Sequence, residues 1–207
     1  MFRKCDYMDL RKEKTVSRIK NGFKSLIKNM NYSSITIQDI LDTAEVGRTT
    51  FYMHYKSKDE VLKSIINDIF IYEVNPAILN NKNIKGDTSF LEIINHILYH
   101  FLEDKDLLNA ILSSESHNIF LQSLNEQFSN LIADRMLPYY TADNVPDEVL
   151  LNHLSTSLTE IILWWITKNN CKTLPEEISY YYFSLVMPAL TTKGFSFSFN
   201  EIIKKIN

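Results

Sequence analysis

The chain has 207 residues, 45% hydrophobic and 23% charged, which argues against disorder and is enough to bury a sizeable core in one domain or two. With 4 Gly and 5 Pro, hairpin punctuation is scarce and phosphate-cradling glycine loops are nearly excluded, so the expected fold is all-α and carries no enzyme signature. The net charge of −3 hides an asymmetry: residues 1–63 hold 13 Lys and Arg against 8 Asp and Glu, a net +5, and the remainder holds 9 against 17, a net −8. A basic segment on an acidic body focuses attraction for phosphate at one end.

Residues 1–8 read as a loose basic arm. From Leu10 to Asn29 the apolar positions Val16, Ile19, Phe23, Leu26 and Ile27 recur at helical spacing, and Gly22 among them points to close packing against another helix. Thr36 is a natural N-cap with Asp39 three residues on, and Ile37, Ile40 and Leu41 form one buried stripe. Ala44, Val46 and Gly47 then suit a tight junction between two helices. In the second helix, about Arg48 to Tyr55, Phe51 and Tyr55 lie one turn apart, and Arg48, Thr49, Tyr52 and Met53 fall on other faces. These groups suit phosphate oxygens and base edges in a major groove, and composition alone fits a solvated polar helix equally well. Ser57 and Glu60 predict a capping box for a helix over 57–73, with Val61, Leu62, Ile65, Ile66 and Ile69 inside and the Lys58 amine beside its N-terminus, where phosphate is favoured.

The order Ile-Thr-Ile-Gln-Asp-Ile, then Ala44-x-Val46-Gly47-Arg48-Thr49-Thr50-Phe51-Tyr52-x-His54-Tyr55-x-Ser57-Lys58, closely resembles the N-terminal helix-turn-helix of the TetR family of bacterial transcriptional regulators, over roughly Lys14 to Ile69. The resemblance implies a three-helix DNA-binding headpiece over 1–63, a C-terminal helical bundle for effector binding and dimerisation over 64–207, and a connecting helix at 57–73. Carried over by position, Thr36 and Gln38 are phosphate or base-edge contacts, Arg48, Thr49, Thr50, Met53 and His54 are recognition-helix contacts, and Tyr52 and Lys58 are backbone clamps. Two positions depart from the pattern: Leu41 stands where Ala is preferred, and Glu45 where Gly suits a left-handed turn, a cost of about 1 kcal/mol.

Beyond a break marked by Pro76, the Asn80–Asn83 run and Gly86-Asp87, helices are expected over 88–103, 106–114 and 118–137, then a polar loop to Pro146 and helices over 147–168 and 175–190. The last two are too apolar for one face to bury. Either a second subunit covers the surplus or both faces are buried within one chain. The resemblance implies the former, a homodimer whose interface uses Leu158, Ile161, Ile162, Tyr181, Tyr182 and Leu185. Trp164-Trp165-Ile166 followed by Leu174-Pro175-Glu176-Glu177 is similar to the C-terminal type of a Firmicute branch of that family that includes a dihydroxyacetone-kinase regulator. Tyr99, His100, Phe120, Trp164 and Trp165 are candidates for a small-molecule effector pocket, with ordinary core aromatics as the plainer reading. His96 and His100 stand at i, i+4 but lack a third ligand at motif spacing, so no metal site is expected, nor a cofactor or catalytic residue. Cys5 and Cys171 are expected to be reduced. No apolar run is expected to span a bilayer and no signal-peptide core is read at the start, which points to the cytoplasm.

The function this implies is a homodimeric repressor on a palindromic operator in double-stranded DNA, released when an effector tilts the 57–73 helix. The alternatives are a TetR-like activator or co-regulator whose C-terminal domain binds a partner protein, and an unrelated helical bundle.

Overall fold

Long stretches without Gly or Pro become nine helices among the described residues: α1 (Arg3–Asn29), α2 (Ile37–Ala44), α3 (Arg48–Tyr52), α4 (Lys58–Val74), α5 (Phe90–Glu103), α6 (Lys105–Leu112), α7 (His117–Arg135), α8 (Asp147–Thr167) and α9 (Pro175–Val186). A computed structural model describes the backbone of residues 3–74 and 90–193 and the side chains of 12–70 and 90–193. The break expected between Pro76 and Asp87 lies outside the described residues. The fold is all-α; a two-residue antiparallel ladder, β1 (Tyr140–Thr141) with β2 (Thr191–Thr192), pairs Tyr140 with Thr192. The chain forms two compact units, one of Met1–Asp68 with Asp106–Phe120 and one of Ile69–Lys105 with Leu121–Asn207.

In the first unit, Ile19, Phe23 and Ile27 of α1 meet Ile40, Leu41 and Ala44 of α2, and Phe51, Val61, Leu62, Ile65 and Ile66 complete an apolar core. Helix α1 begins at Arg3, so residues 3–8 are helical rather than a loose arm. No Gly or Pro interrupts the chain before Gly22, and nothing local stops the helix from running back to that point. Gly22 is where α1 and α2 come closest: a Cβ there would lie 3.2 Å from the Ala44 amide nitrogen and 3.3 Å from the Ala44 Cβ. Gly22→Val is therefore expected to cost about 1–3 kcal/mol through overpacking. A melting midpoint equal to that of the parent chain would contradict this contact.

A partly buried polar cluster joins α1 to α4. Lys20 Nζ lies 2.7 Å from both carboxylate oxygens of Asp68 and 3.4 Å from the Ser64 carbonyl, and the Tyr55 hydroxyl donates to Ser64 Oγ at 3.2 Å. Burial raises the Tyr55 phenol above its ordinary pKa.

In the second unit, Leu150, Leu154, Leu158, Ile162, Trp165 and Ile166 of α8 are buried, as are Ile178, Tyr182, Phe183 and Val186 of α9. The Tyr182 hydroxyl donates to the Leu154 carbonyl at 3.2 Å, and Ser179 Oγ donates to Asn95 Oδ1 of α5 at 2.5 Å. The turn between α8 and α9 places Asn170 and Cys171 at φ 56° and 53°. Asn169 Oδ1 accepts from the Lys172 and Thr173 amides, and the Trp165 indole donates to the Thr173 carbonyl at 2.9 Å, so the polar spacer is fixed from both ends. The Cys171 thiol is free, and burial pushes its pKa up against the opposing pull of Lys105. Helix α9 ends at Val186, short of the expected residue 190, because Pro188 lies in the following 3-10 turn (Met187–Ala189). At 21 residues, α8 is long and apolar enough to cross a bilayer by length and composition alone, which the sequence reading missed. Its inner face packs into the bundle, and its exposed positions include Asp147, Glu148, His153 and Glu160.

Candidate nucleic-acid interface

The site is built outward from two caps and one strained turn. The Asp39 amide donates to Thr36 Oγ1 at 3.2 Å, while the Thr36 amide and hydroxyl donate to Asp39 Oδ2 at 2.8 and 2.7 Å. These bonds from Thr36 hold the Asp39 carboxyl below its ordinary pKa. The Thr36 hydroxyl thus donates to Asp39, which fixes the start of α2. Gln38 is exposed on the next position, its Nε2 bonded to Asp42 Oδ1 at 2.8 Å.

Helix α2 ends at Glu45 with φ 50° and ψ 49°, the left-handed conformation anticipated where a Gly is preferred. Arg18 of α1 closes on this residue: its Nη2 lies 3.1 Å from the Glu45 carbonyl and 2.7 Å from the carboxylate. Sequence reasoning missed Arg18, since nothing local marks a contact 27 residues away. Gly47, extended at φ −73° and ψ 151°, then leads into α3.

Phe51 is fully buried and Tyr55 nearly so, and these two anchor the short helix. The expected helix to Tyr55 stops at Tyr52, because the Phe51 carbonyl accepts from both His54 and Tyr55 as the chain turns to bury the Tyr55 ring. What remains outside is a compact face. Arg48 and Thr49 are exposed, Tyr52 is 48% and Met53 76% exposed, and Thr50 and His54 are half-buried. A guanidinium, hydroxyl donors, a phenol and an unbranched apolar tip share one side of one helical turn. That set of donors and apolar surface matches phosphate oxygens, base edges and thymine methyl groups.

Lys58, expected as a phosphate clamp, packs its ammonium against backbone carbonyls in the unbound chain. Its ammonium lies 2.6 Å from the Tyr32 carbonyl, 2.9 Å from that of Ile35 and 3.4 Å from that of Ser33, and 4.4 Å from the Tyr32 ring centroid. The capping box of α4 is also shifted. Ser57 Oγ accepts from the Glu60 amide at 3.3 Å, but Glu60 reaches back to the Lys56 amide, at 2.7 Å.

In the second unit the structure divides the candidate dimer residues. Leu158, Ile162 and Tyr182 are fully buried within the chain and have no surface to offer a second subunit, whereas Ile161 is half-buried and Tyr181 and Leu185 are exposed. The latter three line an open groove of about 530 Å³ with Trp164, Glu160 and Ser184. Trp164 is 44%, Tyr181 40% and Leu185 70% exposed.

The five effector candidates differ in their surroundings. Trp165 and Phe120 are core residues, Trp164 lines the open groove, the exposed Tyr99 donates to Glu176 Oε1 at 2.6 Å, and His100 stands 3.4 Å from Glu103. Adjacent positions on a helix point about 100° apart, which is why Trp164 and Trp165 part company.

The family described as "Bacterial regulatory proteins, tetR family" matches residues 24–65, and "Transcriptional regulator C-terminal region" matches residues 88–187. A TetR transcriptional regulator from Streptococcus agalactiae, known from its crystal structure, is 30% identical, covers 88% of this chain with 99% of its own, and superposes with a TM-score of 0.61. The activator DhaS of the dhaKLM operon of Lactococcus lactis is 33% identical over 57 residues, 28% of this chain and 30% of DhaS. IcaR, the negative regulator of the icaADBC biofilm operon of Staphylococcus epidermidis, is 21% identical over 127 residues, 58% of this chain and 66% of IcaR. The chain therefore spans less than two thirds of each of these two curated relatives. With a helix-turn-helix built as described and a regulator of known structure alike over nearly its full length, the chain belongs to the TetR family of bacterial regulatory proteins.

Proposed function

We propose that the chain is a DNA-binding transcriptional repressor that works as a homodimer on a palindromic operator. The observation that carries this reading is the α3 face: Arg48, Thr49, Tyr52 and Met53 stand outside while Phe51 and Tyr55 hold the helix from within. Thr50, His54 and Gln38 add further contacts to DNA in this reading. Residues 1–63 act as the DNA-binding domain and residues 64–207 as the domain for dimerisation and effector binding. Dimerisation uses the groove of Ile161, Trp164, Tyr181 and Leu185, since an apolar surface of this kind is stabilised by a second copy about a two-fold axis. Two α3 helices then require half-sites about one helical turn, 34–36 Å, or a multiple of it, apart.

Release follows when a small molecule bound in the C-terminal domain shifts α4 and changes the distance between the two α3 helices. A few kcal/mol of differential affinity between the two states suffices. The protein works in the cytoplasm, where its operator lies, without a cofactor. Repression is favoured because IcaR is described as a negative transcriptional regulator. DhaS is described as an activator, and this supplies the second reading, in which the seated dimer recruits a partner protein.

The test uses the DNA beside the gene. A labelled duplex should be retained at low salt in a dimer-sized complex, with log K falling linearly as log salt rises. Transcription from that fragment in vitro should fall on adding the protein; a rise would favour the activator reading. Retention of no duplex at any ionic strength would overturn both.

A further inference from the structure

We infer that Arg18 is a positioning residue for the DNA-binding face, which it serves through Glu45 by holding the turn that aims α3. The inference rests on the DNA-binding reading above. Glu45 is the residue on which the chain swings from α2 towards α3, at φ 50° and ψ 49°. A side chain crowds the backbone in that conformation, which Gly alone adopts freely, so Glu45 gains from being held from outside. Arg18 supplies the hold. Its Nη2 carries two N–H groups and lies 3.1 Å from the Glu45 carbonyl and 2.7 Å from the Glu45 carboxylate. One nitrogen therefore grips the main chain and the side chain of the same residue.

Helix α1 meets this stretch at two successive turns. Gly22, four residues after Arg18, lies against Ala44 with no room for a Cβ, and Ile19 between them is fully buried. The turn closes α2 with its own amides, Glu45 donating to the Asp42 carbonyl at 3.3 Å and Val46 to that of Leu41 at 3.0 Å. The Arg18 bonds are what tie it to α1, just before Val46 and Gly47 lead into α3. With five residues, α3 cannot set its own direction and takes it from this turn and from the buried Phe51. The Arg18 side chain is 51% and that of Glu45 83% exposed, and a pair so open to water adds little to global stability. Its effect falls on where the turn points.

The test compares the parent chain with Arg18→Met, Glu45→Gly and the double variant. Each is titrated well below its melting midpoint with the retained fragment from beside the gene and with an unrelated duplex of equal length. Arg18→Met is expected to bind the fragment about fivefold more weakly and the unrelated duplex as the parent does, with a melting midpoint near the parent's. In the Glu45→Gly background the same substitution should change affinity for the fragment by less than about twofold, since Gly takes the left-handed turn unaided. Equal losses on both duplexes would make Arg18 a phosphate ligand and overturn the inference. Unchanged affinity for the fragment would overturn it too, as would a loss that persists undiminished beside Glu45→Gly. If Arg18→Met does not fold, the Arg18 guanidinium resonance of the parent chain decides. A contact with Glu45 that persists on adding the fragment supports the inference, and one replaced by coupling to phosphorus overturns it. Failure of the parent chain to bind any duplex is a separate result; it removes the DNA-binding reading and this inference with it.

Discussion

Leu185→Glu is expected to yield a folded monomer that binds operator DNA about 100-fold more weakly, a loss of about 2.7 kcal/mol. Leu185 is 70% exposed in the single chain, so its removal takes little from the stability of the subunit. In the proposed dimer it meets a second copy of the same groove, and each Glu would then be buried without a partner and near its symmetry mate. The dimer dissociates, and the second α3 no longer benefits from the high effective concentration that a shared interface provides. Sedimentation equilibrium reads the first effect and a retention assay the second. A variant that stays dimeric at parental concentrations would show that this groove is not the interface. Leu158→Ala makes the contrast, because Leu158 is fully buried within the chain and its truncation should lower the melting midpoint first.

Phe51→Ala is expected to abolish DNA retention by unfolding α3, at a cost of about 3–5 kcal/mol. Helix α3 has five residues, far too few to hold itself together in water. It persists because Phe51 is fully buried, with the Tyr52 ring edge-on at 5.5 Å and the Tyr55 ring at 6.1 Å. Without that anchor, Arg48, Thr49, Tyr52 and Met53 have no common face. Hydrogen exchange should show the amides of residues 48–55 losing protection while those of α8 keep theirs. Phe51→Leu, which keeps most of the volume, should recover much of the binding. Phe51→Ala binding within about threefold of the parent, an energy difference under about 1 kcal/mol, would contradict the role assigned to this residue.

The elements legible in the sequence were those governed by short-range physics. The Thr36–Asp39 box, the Phe51 and Tyr55 anchors and the left-handed Glu45 all follow from spacings of a few residues, and the Gly within α1 marked a close approach whose partner, Ala44, it did not name. What the sequence left open depended on distant partners. The destination of the Lys58 ammonium is set by a turn 26 residues earlier, and the Arg18 contact by a turn 27 residues later. In α8 residues 161–166 are all apolar, and in α9 residues 180–183 are all aromatic, so periodicity marks no single inner face there. Leu158, Ile162 and Tyr182 went inward, Tyr181 and Leu185 outward, and Ile161 is half-buried. A ladder of two residues, Tyr140–Thr141 with Thr191–Thr192, is too short to show an alternation at all.

The central claim is that one outward face of α3 holds duplex DNA, and it is tested most directly by Arg48→Ala combined with Tyr52→Ala. Both residues are exposed, so the fold and melting midpoint should stay near those of the parent chain. Affinity for the operator duplex should fall by 10-fold or more, with discrimination between operator and unrelated DNA reduced, since each lost base or phosphate contact is worth about 1–3 kcal/mol. Parental affinity and discrimination in the folded double variant would contradict the account.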